Sequence, residues 1–342
     1  YGKIGEVIQE DKTVFGYNIP TMKFVTRYNY DSWNRIRRLI YPDGEILYYE
    51  YNLGGNLKRI VNDENYEYVK NIEYDNYEQR TLMEYGNDTK SEYTYLPTSR
   101  NLSTHILEDN LNNQLLNNNY TYDFVGNVIQ QVNTAGFSPN NMGGYYEQAY
   151  AYDQLNRLTF SNGAFSGYTH SSYATDNADY ETNLDYNHSG GIVSKQQQHS
   201  QNGSTNATNS YKNDYYYIPG THKIEYIEET AYGNGTEYFE YDNNGNLINN
   251  ITPNGIIQMF WDEMDRLKAY HSEMGVFQYY TYDDTGERVI KYDLQQAADL
   301  YQNGSLIYGE MIMNDYKVYP NPYVVTNSSN IYTKHYYAGS QR

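Results

Sequence analysis

A short motif recurs along the chain and limits what the chain can fold into. The motif is an aromatic residue, Asp, two variable residues, Gly/Asn/Asp, Asn/Arg and an aliphatic residue, as in Tyr241-Asp242-Asn243-Asn244-Gly245-Asn246-Leu247. Its clear copies start 20 to 23 residues apart, and the spacing stretches to about 24–34 residues in the middle of the chain. Such a period indicates a repeat protein.

The chemistry of the motif is that of a turn. Its Asp can accept a hydrogen bond from the backbone two residues later, and its Gly, Asn or Asp tolerates a left-handed conformation. Weaker copies start at Tyr74, Tyr95, Tyr186 and Tyr217. The residues that define the repeat are Tyr30, Asp31, Tyr51, Gly55, Asn56, Tyr122, Asp123, Gly126, Asn127, Tyr152, Asp153, Tyr241, Asp242, Gly245, Asn246, Trp261, Asp262, Tyr282, Asp283 and Gly286.

A second turn signal follows about seven residues after each motif, as in Pro42-Asp43-Gly44 and Pro253-Asn254-Gly255. An alternating, Tyr-rich run comes next, such as Phe277-Gln278-Tyr279-Tyr280-Thr281-Tyr282. Each unit of about 21 residues therefore reads as strand, tight turn, strand, tight turn. We predict an all-β fold in which tandem hairpins pair into one long antiparallel sheet.

The composition decides how such a sheet is held together. The chain has 46 Tyr among 342 residues, a net charge of −19 and no Cys, and its mean hydropathy is −0.89. Low hydropathy with high charge is typical of disorder, but Tyr has a large apolar ring and favours strands. We expect a thin, partly wet core. The negative charge argues against a nucleic-acid partner, and no apolar run is long enough for a membrane span.

Two stretches interrupt the rhythm. The polar stretch 196–213 is expected to be an exposed hairpin loop, and 110–119 a hairpin tip. The stretch 294–300 is the one place where a helical turn is expected. We divide the chain into a partial repeat or leading strands (1–24), the repeat array (25–293) and a closing segment (294–342).

Taken together, these motifs resemble the YD-repeat, or RHS, family over about residues 25 to 342. The segments Tyr319-Pro320-Asn321-Pro322-Tyr323-Val324-Val325 and 334–342 resemble the closing segment of RHS proteins of the Bacteroidetes type. The resemblance implies a β-sheet that spirals into a hollow shell, as in insecticidal toxin complexes and teneurins. In bacterial toxins such shells enclose a C-terminal toxic domain. The family's Asp-Pro self-cleavage motif is absent from this sequence.

The resemblance implies a structural, non-enzymatic role in a secreted or cell-surface bacterial protein. The expected partner is the protein's own C-terminal toxin or effector domain, which lies outside this chain. Three alternatives stay open. An adhesin or carbohydrate-binding module would use exposed Tyr rings to stack on sugars, a β-propeller would pair two units per blade, and a filament would form through edge strands.

Candidate catalytic and metal-binding groups are scattered. The seven His residues (105, 170, 188, 199, 222, 271 and 335) have no zinc-site spacing. Calcium loops at Asp242 or Asp283 would need a different ligand spacing, so turn capping is the favoured interpretation. Acidic pairs such as Asp262/Glu263 with Asp265, or Glu228/Glu229, are expected by chance in so acidic a chain. We predict no cofactor, metal or catalytic residue.

Overall fold

The computed structural model describes residues 7–16, 18–136, 144–168, 175–233, 235–294, 300–302, 305–308 and 313–339. Within these ranges the regular secondary structure is β-strand, without a helix. It follows that no helix in the described part of the chain is long and apolar enough to span a bilayer.

The strands are short and follow one another closely. They are β1 Gln9–Gly16, β2 Ile19–Tyr30, β3 Ile36–Ile40, β4 Ile46–Tyr51, β5 Leu57–Asn62, β6 Glu67–Tyr74, β7 Arg80–Tyr85, β8 Lys90–Tyr95, β9 Leu102–Glu108, β10 Gln114–Tyr122, β11 Val128–Asn133, β12 Tyr145–Tyr152, β13 Leu158–Tyr168, β14 Thr175–Tyr186, β15 Ile192–Gln201, β16 Ser204–Thr205, β17 Tyr211–Tyr217, β18 Ile224–Glu229, β19 Thr236–Tyr241, β20 Leu247–Thr252, β21 Gly255–Trp261, β22 Leu267–His271, β23 Phe277–Tyr282, β24 Arg288–Leu294, β25 Leu300–Gln302, β26 Ser305–Tyr308, β27 Met313–Asn321, β28 Val324–Asn327 and β29 Tyr332–Lys334.

Twenty-seven of these strands form one sheet, and β25 and β26 form a separate hairpin. Strands that pair are antiparallel and usually consecutive in the chain, as with β2 and β3, β12 and β13, or β23 and β24. The hairpin of β25 and β26 interrupts the consecutive order, and the strands on either side of it, β24 and β27, pair directly with each other. The predicted all-β class and the antiparallel hairpin array are confirmed.

The motif sets the register of each hairpin. Its aromatic and aliphatic residues lie opposite each other, as Tyr152 and Leu158 do. The next pair is Ala151 with Phe160, so Thr159 is the extra residue of a β-bulge. A bulge bends the strand and increases its twist. The same register shift recurs beside Tyr30, Tyr122, Tyr186, Trp261 and Tyr282.

The strands cluster into two compact units. Unit 1 comprises Tyr1–Glu50, Ile60–Asn65 and Thr236–Arg342, and unit 2 comprises Tyr51–Arg59 and Tyr66–Gly235. These bounds come from spatial contacts, whereas the sequence-based division at 24 and 293 rests on motif content and stays a prediction.

Unit 1 has a true hydrophobic core. Val14 and Phe24 on β1 and β2 pack with Phe277, Ile290 and Val318 on β23, β24 and β27. The first and last strands of unit 1 therefore share one apolar interior. Burying a side chain of this size stabilises a fold by about 1.5–3 kcal/mol.

Polar contacts join the same two stretches of unit 1. Lys334 Nζ lies 2.7 Å from Glu45 Oε2 and also pairs with Asp43. The buried Tyr41 hydroxyl donates a hydrogen bond of 2.9 Å to the carbonyl of His335. These contacts fix how the closing strands lie on the opening strands of this unit.

Unit 2 has a thinner interior. Among its described residues, the buried apolar side chains are Val69, Ile72, Met83, Ala135 and Leu184. The polar residues Ser91, Asn118, Asn133, Ser161, Thr182 and Ser210 of this unit are also buried. Backbone pairing and side-chain hydrogen bonds therefore have a larger share in holding this unit together than in unit 1.

Two local expectations need revision, and a third falls outside the described residues. The polar stretch 196–213 is strand at both ends, because β15 runs to Gln201 and β17 starts at Tyr211. In the stretch 110–119 the tip is short and β10 starts at Gln114. Backbone ladders formed in spite of the polar side chains, which strands tolerate on a solvated face. Residues 295–299, where a helical turn was expected, lie outside the described residues, and Leu294 ends β24.

Candidate functional site

The repeated feature of the chain is the turn that follows each motif aromatic residue. We call these turns the YD turns. They are residues 31–35, 52–56, 123–127, 153–157, 242–246, 262–266 and 283–287.

The motif Asp organises its turn through one carboxylate oxygen. Asp153 Oδ1 accepts the backbone N–H groups of Leu155 at 2.8 Å and Arg157 at 3.0 Å. Asp31, Asp123, Asp242, Asp262 and Asp283 make the equivalent pair of bonds. At 51–57 the acceptor is Asn52, whose Oδ1 receives the N–H of Asn56. The motif carboxylates therefore satisfy backbone donors.

The fourth residue of each turn has a left-handed backbone. Gly126 has φ of 95°, Gly245 of 97° and Asn156 of 59°. Residues with a Cβ pay a steric cost in this region, and Asn and Asp tolerate it best. The alternation of Gly, Asn and Asp at this position follows from this conformation.

The Asn or Arg of the motif donates a hydrogen bond to the second carboxylate oxygen of the motif Asp. Arg157 Nε donates to Asp153 Oδ2 at 2.6 Å, and Asn246 Nδ2 donates to Asp242 Oδ2 at 3.0 Å. Arg157 also stacks on Tyr186 of the next motif at 4.6 Å. Arg157 thus contacts both its own turn and the aromatic residue of the next motif.

The hydroxyl of the motif Tyr links consecutive repeats. Tyr152 Oη donates to the carbonyl of Val128, the aliphatic residue of the preceding motif, at 2.8 Å. Trp261 makes the same link through its ring N–H, at 2.7 Å to the carbonyl of Leu247. The pattern also holds for Tyr74, Tyr95, Tyr122, Tyr186, Tyr217 and Tyr282, with acceptors Leu57, Arg80, Leu102, Leu158, Ile192 and Leu267.

The pKa values of the turn carboxylates are lowered. The side-chain hydrogen bond from Arg35 lowers the pKa of Asp31, and that from Asn246 lowers the pKa of Asp242. Partial burial raises the pKa of Asp283, but hydrogen bonds from Lys12 and Thr285 outweigh it and bring the value to about 2. These groups are held as structural anions.

The other candidate groups for chemistry lie apart or act as turn caps. No three His, Cys, Asp or Glu side chains within the described ranges meet in the way a metal site needs. Asp262 Oδ2 accepts Arg266 Nε at 2.8 Å, and Glu229 accepts the backbone N–H of Tyr232 at 2.9 Å. Of the seven His residues, His170 lies outside the described ranges. His105 stacks on Tyr93 at 4.6 Å.

The motif residue that sequence reasoning interpreted least well is the aromatic one. Its ring area indicates packing on a strand, and buried Tyr hydroxyls need hydrogen-bond partners, but the turn chemistry does not indicate that the partner is a carbonyl of the preceding motif. The sequence carries a signal for the donor, because the seven clear copies have six Tyr and one Trp and no Phe. Tyr and Trp share a polar hydrogen on the ring, and Phe lacks it.

Comparison with known proteins gives a match at the level of structure only. No known family profile matches the sequence, and no curated protein does. Solved structures of TcdB2-TccC3 and TcdB2-TccC3-Cdc42 each align with a TM-score of 0.65 at 18% identity, covering 95% and 97% of this chain. TcdB2-TccC3 without its hypervariable C-terminal region aligns with a TM-score of 0.63 at 17% identity, over 96% of the chain.

This chain spans about a sixth of the length of these neighbours, namely 17%, 17% and 16% of the three structures. At such low identity the likeness establishes architecture alone. The chain therefore has the fold of a stretch of TcdB2-TccC3, which is the antiparallel sheet expected from its resemblance to RHS and YD repeats.

Proposed function

We propose that this chain is a structural part of the wall of an RHS/YD-repeat shell. The shell encloses a C-terminal toxin or effector domain of the same protein, which lies outside this chain. The protein is secreted or displayed on a bacterial surface and acts in competition or intoxication, and the wall itself performs no catalysis.

The observation that carries this proposal is the continuous sheet of 27 antiparallel strands built from YD turns. Consecutive repeats are joined by their backbones and again by the ring donors, so the sheet extends without a separate core for each repeat. Repeats that contact only their neighbours build extended, curved surfaces, and we propose that this one curves far enough to enclose a volume. The match in fold to TcdB2-TccC3 over nearly the whole chain supports the same interpretation.

A container wall should not give its contents an apolar surface on which to fold. In unit 2, a line of paired residues across β11–β15 on one face of the sheet is polar except for one small apolar residue: Gln130, Ala149, Asn162, Glu181 and Gln198. Such a face stays hydrated and binds the apolar side chains of an enclosed polypeptide weakly. One of the neighbouring structures is described as lacking a hypervariable C-terminal region, and a variable domain beside a fixed wall suits our proposal.

The decisive experiment uses the full-length protein that contains this chain. Electron cryo-microscopy should reveal a closed β-shell with weak internal density, and a protease should spare the C-terminal domain until denaturant opens the shell. An open sheet or a ring of blades, with a C-terminal domain cleaved at once in native buffer, would rule the enclosing role out.

A further inference from the structure

Two Tyr rings stack face to face across neighbouring strands of unit 2. Tyr216 on β17 and Tyr226 on β18 are directly opposite in the antiparallel ladder, and residues in such a pair project from the same face of the sheet. Their ring centroids are 4.3 Å apart, and the ring planes are inclined by 14°. We call these two residues the stacked pair. Because both rings leave the sheet on one side, their hydroxyl-bearing ends are neighbours.

Other Tyr pairs of the chain have a different geometry. The rings of Tyr66 and Tyr68 are 5.0 Å apart but cross at 75°, so the edge of one ring meets the face of the other. The rings of Tyr28 and Tyr30 are inclined by only 24°, but they are 6.5 Å apart. The stacked pair combines a short separation with nearly parallel planes, which brings carbons of one ring close to the equivalent carbons of the other.

The stacked pair is open to solvent and has a proton acceptor beside it. Tyr216 is 39% exposed, and Tyr226 is half-buried. The Tyr216 hydroxyl oxygen lies 3.5 Å from Oε2 of Glu228, which is itself exposed. A phenol that gives up an electron also releases its proton, and a carboxylate at this distance can accept it. The site can therefore be oxidised by an agent that stays in solution.

We propose that Tyr216 and Tyr226 are a site of oxidative modification, at which the two rings are joined as dityrosine. Each phenol loses one electron and its proton, which leaves a radical shared between the oxygen and the carbons beside it. One such carbon of each ring forms the new carbon–carbon bond. The two ring C–H bonds at these carbons then break, and their protons move to the oxygens and restore both phenols.

The oxidant is hydrogen peroxide acting through a haem peroxidase. The O–O bond of the peroxide breaks, and the two electrons and two protons lost by the phenols convert it to two molecules of water. Bond formation requires the two rings to tilt toward each other at one edge. The χ2 torsion of Tyr is broad, and the exposed side of Tyr216 leaves room for this movement.

The new bond ties β17 to β18 in a chain that has no Cys and therefore no disulfide. A covalent link between two strands restricts the unfolded chain in the way that a disulfide does. This inference goes beyond the proposed wall function and does not depend on it, because it follows from the ring geometry of one hairpin.

The test treats the full 342-residue chain, at low protein concentration, with hydrogen peroxide and a haem peroxidase. Trypsin cuts after Lys212, Lys223 and Arg266, so the two rings fall in the separate peptides 213–223 and 224–266. Mass spectrometry of the monomer fraction should find these two peptides joined, with the loss of two hydrogen atoms. Dityrosine fluorescence of the same fraction should rise with the amount of joined peptide.

Tyr216→Phe should abolish the joined peptides, because Phe has no phenolic hydrogen to lose. Tyr145→Phe is the matched control. Tyr145 is 40% exposed, and its hydroxyl donates to Glu147 Oε2 at 2.6 Å, but the residue opposite it in the ladder is Ser166. Tyr145 thus has the same access and a carboxylate neighbour without a second ring, and its variant should give as much joined peptide as the parent.

Three results would overturn the proposal. The first is a monomer in which the two peptides stay separate while dityrosine forms only between chains or not at all. The second is joined peptides that persist in Tyr216→Phe, since another Tyr would then be the reacting group. The third is an equal loss of joined peptides in Tyr216→Phe and Tyr145→Phe, which would trace the reaction to exposure and not to the stack.

Discussion

At the scale of the residue, the chain uses Tyr for two purposes that a sequence usually divides between residues. The ring supplies apolar area on a strand, and the hydroxyl donates to a backbone carbonyl one repeat earlier. Trp261 shows that the donor is the shared requirement, because its N–H reaches the carbonyl of Leu247 at the same kind of position. This explains how a sheet with few aliphatic residues keeps its repeats together.

Removing a single ring donor should therefore destabilise the fold. Tyr152→Phe leaves the ring but takes the hydrogen bond from the Val128 carbonyl, and we expect a loss of about 1 kcal/mol in the free energy of unfolding. Urea denaturation followed by circular dichroism measures it. Tyr77→Phe is the control, since Tyr77 is 69% exposed at a turn tip and should change stability little. Equal stability of Tyr152→Phe and the parent would show that the donor is dispensable.

At the scale of the element, the YD turn is the unit that specifies the fold. Its Asp, its left-handed residue and its Asn or Arg each satisfy a different requirement of the same five-residue loop. These positions could be identified from the sequence because turn chemistry is local. The long polar strand β15 could not be identified in this way. Its pairing with β14 consists of backbone hydrogen bonds, and its Gln-rich side chains give no local signal for a strand.

The left-handed position gives the second prediction. Gly126 has φ of 95° and space around it, since a methyl group there would meet nothing nearer than Asn101 Nδ2 at 3.7 Å. Gly126→Ala should therefore cost only backbone strain, about 1–2 kcal/mol of unfolding free energy. Thermal and urea unfolding measure this loss.

A matched change in the next turn tests the cause. Asn156 already holds a left-handed conformation with φ of 59°. Asn156→Gly relieves strain in the folded chain, but it also raises the conformational entropy of the unfolded chain, and the two effects oppose each other. We expect a change of less than about 1 kcal/mol. A Gly126→Ala variant as stable as the parent would contradict the steric account of the motif.

At the scale of the whole molecule, unit 1 depends on contacts between stretches far apart in the chain. Lys12 Nζ lies 2.6 Å from Asp283 Oδ2, and Lys334 pairs with Glu45. The array and its antiparallel pairing are predictable from local motifs. These ion pairs are not, because nothing local indicates which distant residues will meet.

The Asp283 contact predicts an acid response. Its pKa falls from 3.8 to about 2 in the folded chain, so the stabilisation is fully present above pH 3.8 and is lost as the pH falls through about 2. Asp283→Asn should be less stable at neutral pH and should lose less stability across that acid window. Urea midpoints measured as the pH is lowered give the slopes.

The control for this prediction lies in the same turn. Asp284 is exposed, and Asp284→Asn removes an equal charge without touching the contact to Lys12. It should keep the acid slope of the parent. If both variants flatten the slope alike, general charge repulsion and not the Lys12 contact governs the acid response.

The ring donors that connect each repeat to its predecessor have a consequence for how the sheet comes apart. Each hairpin is coupled to its immediate neighbours in the chain, as in a one-dimensional lattice with nearest-neighbour interactions. Opening an interior hairpin breaks two such couplings and opening a terminal one breaks a single coupling. In unit 1, however, the first and last strands also share an apolar interior and ion pairs, and these contacts oppose melting from the ends. By the same counting, whole hairpins can be gained or lost in evolution at the cost of one junction, which lets the array change length while its local rules stay the same.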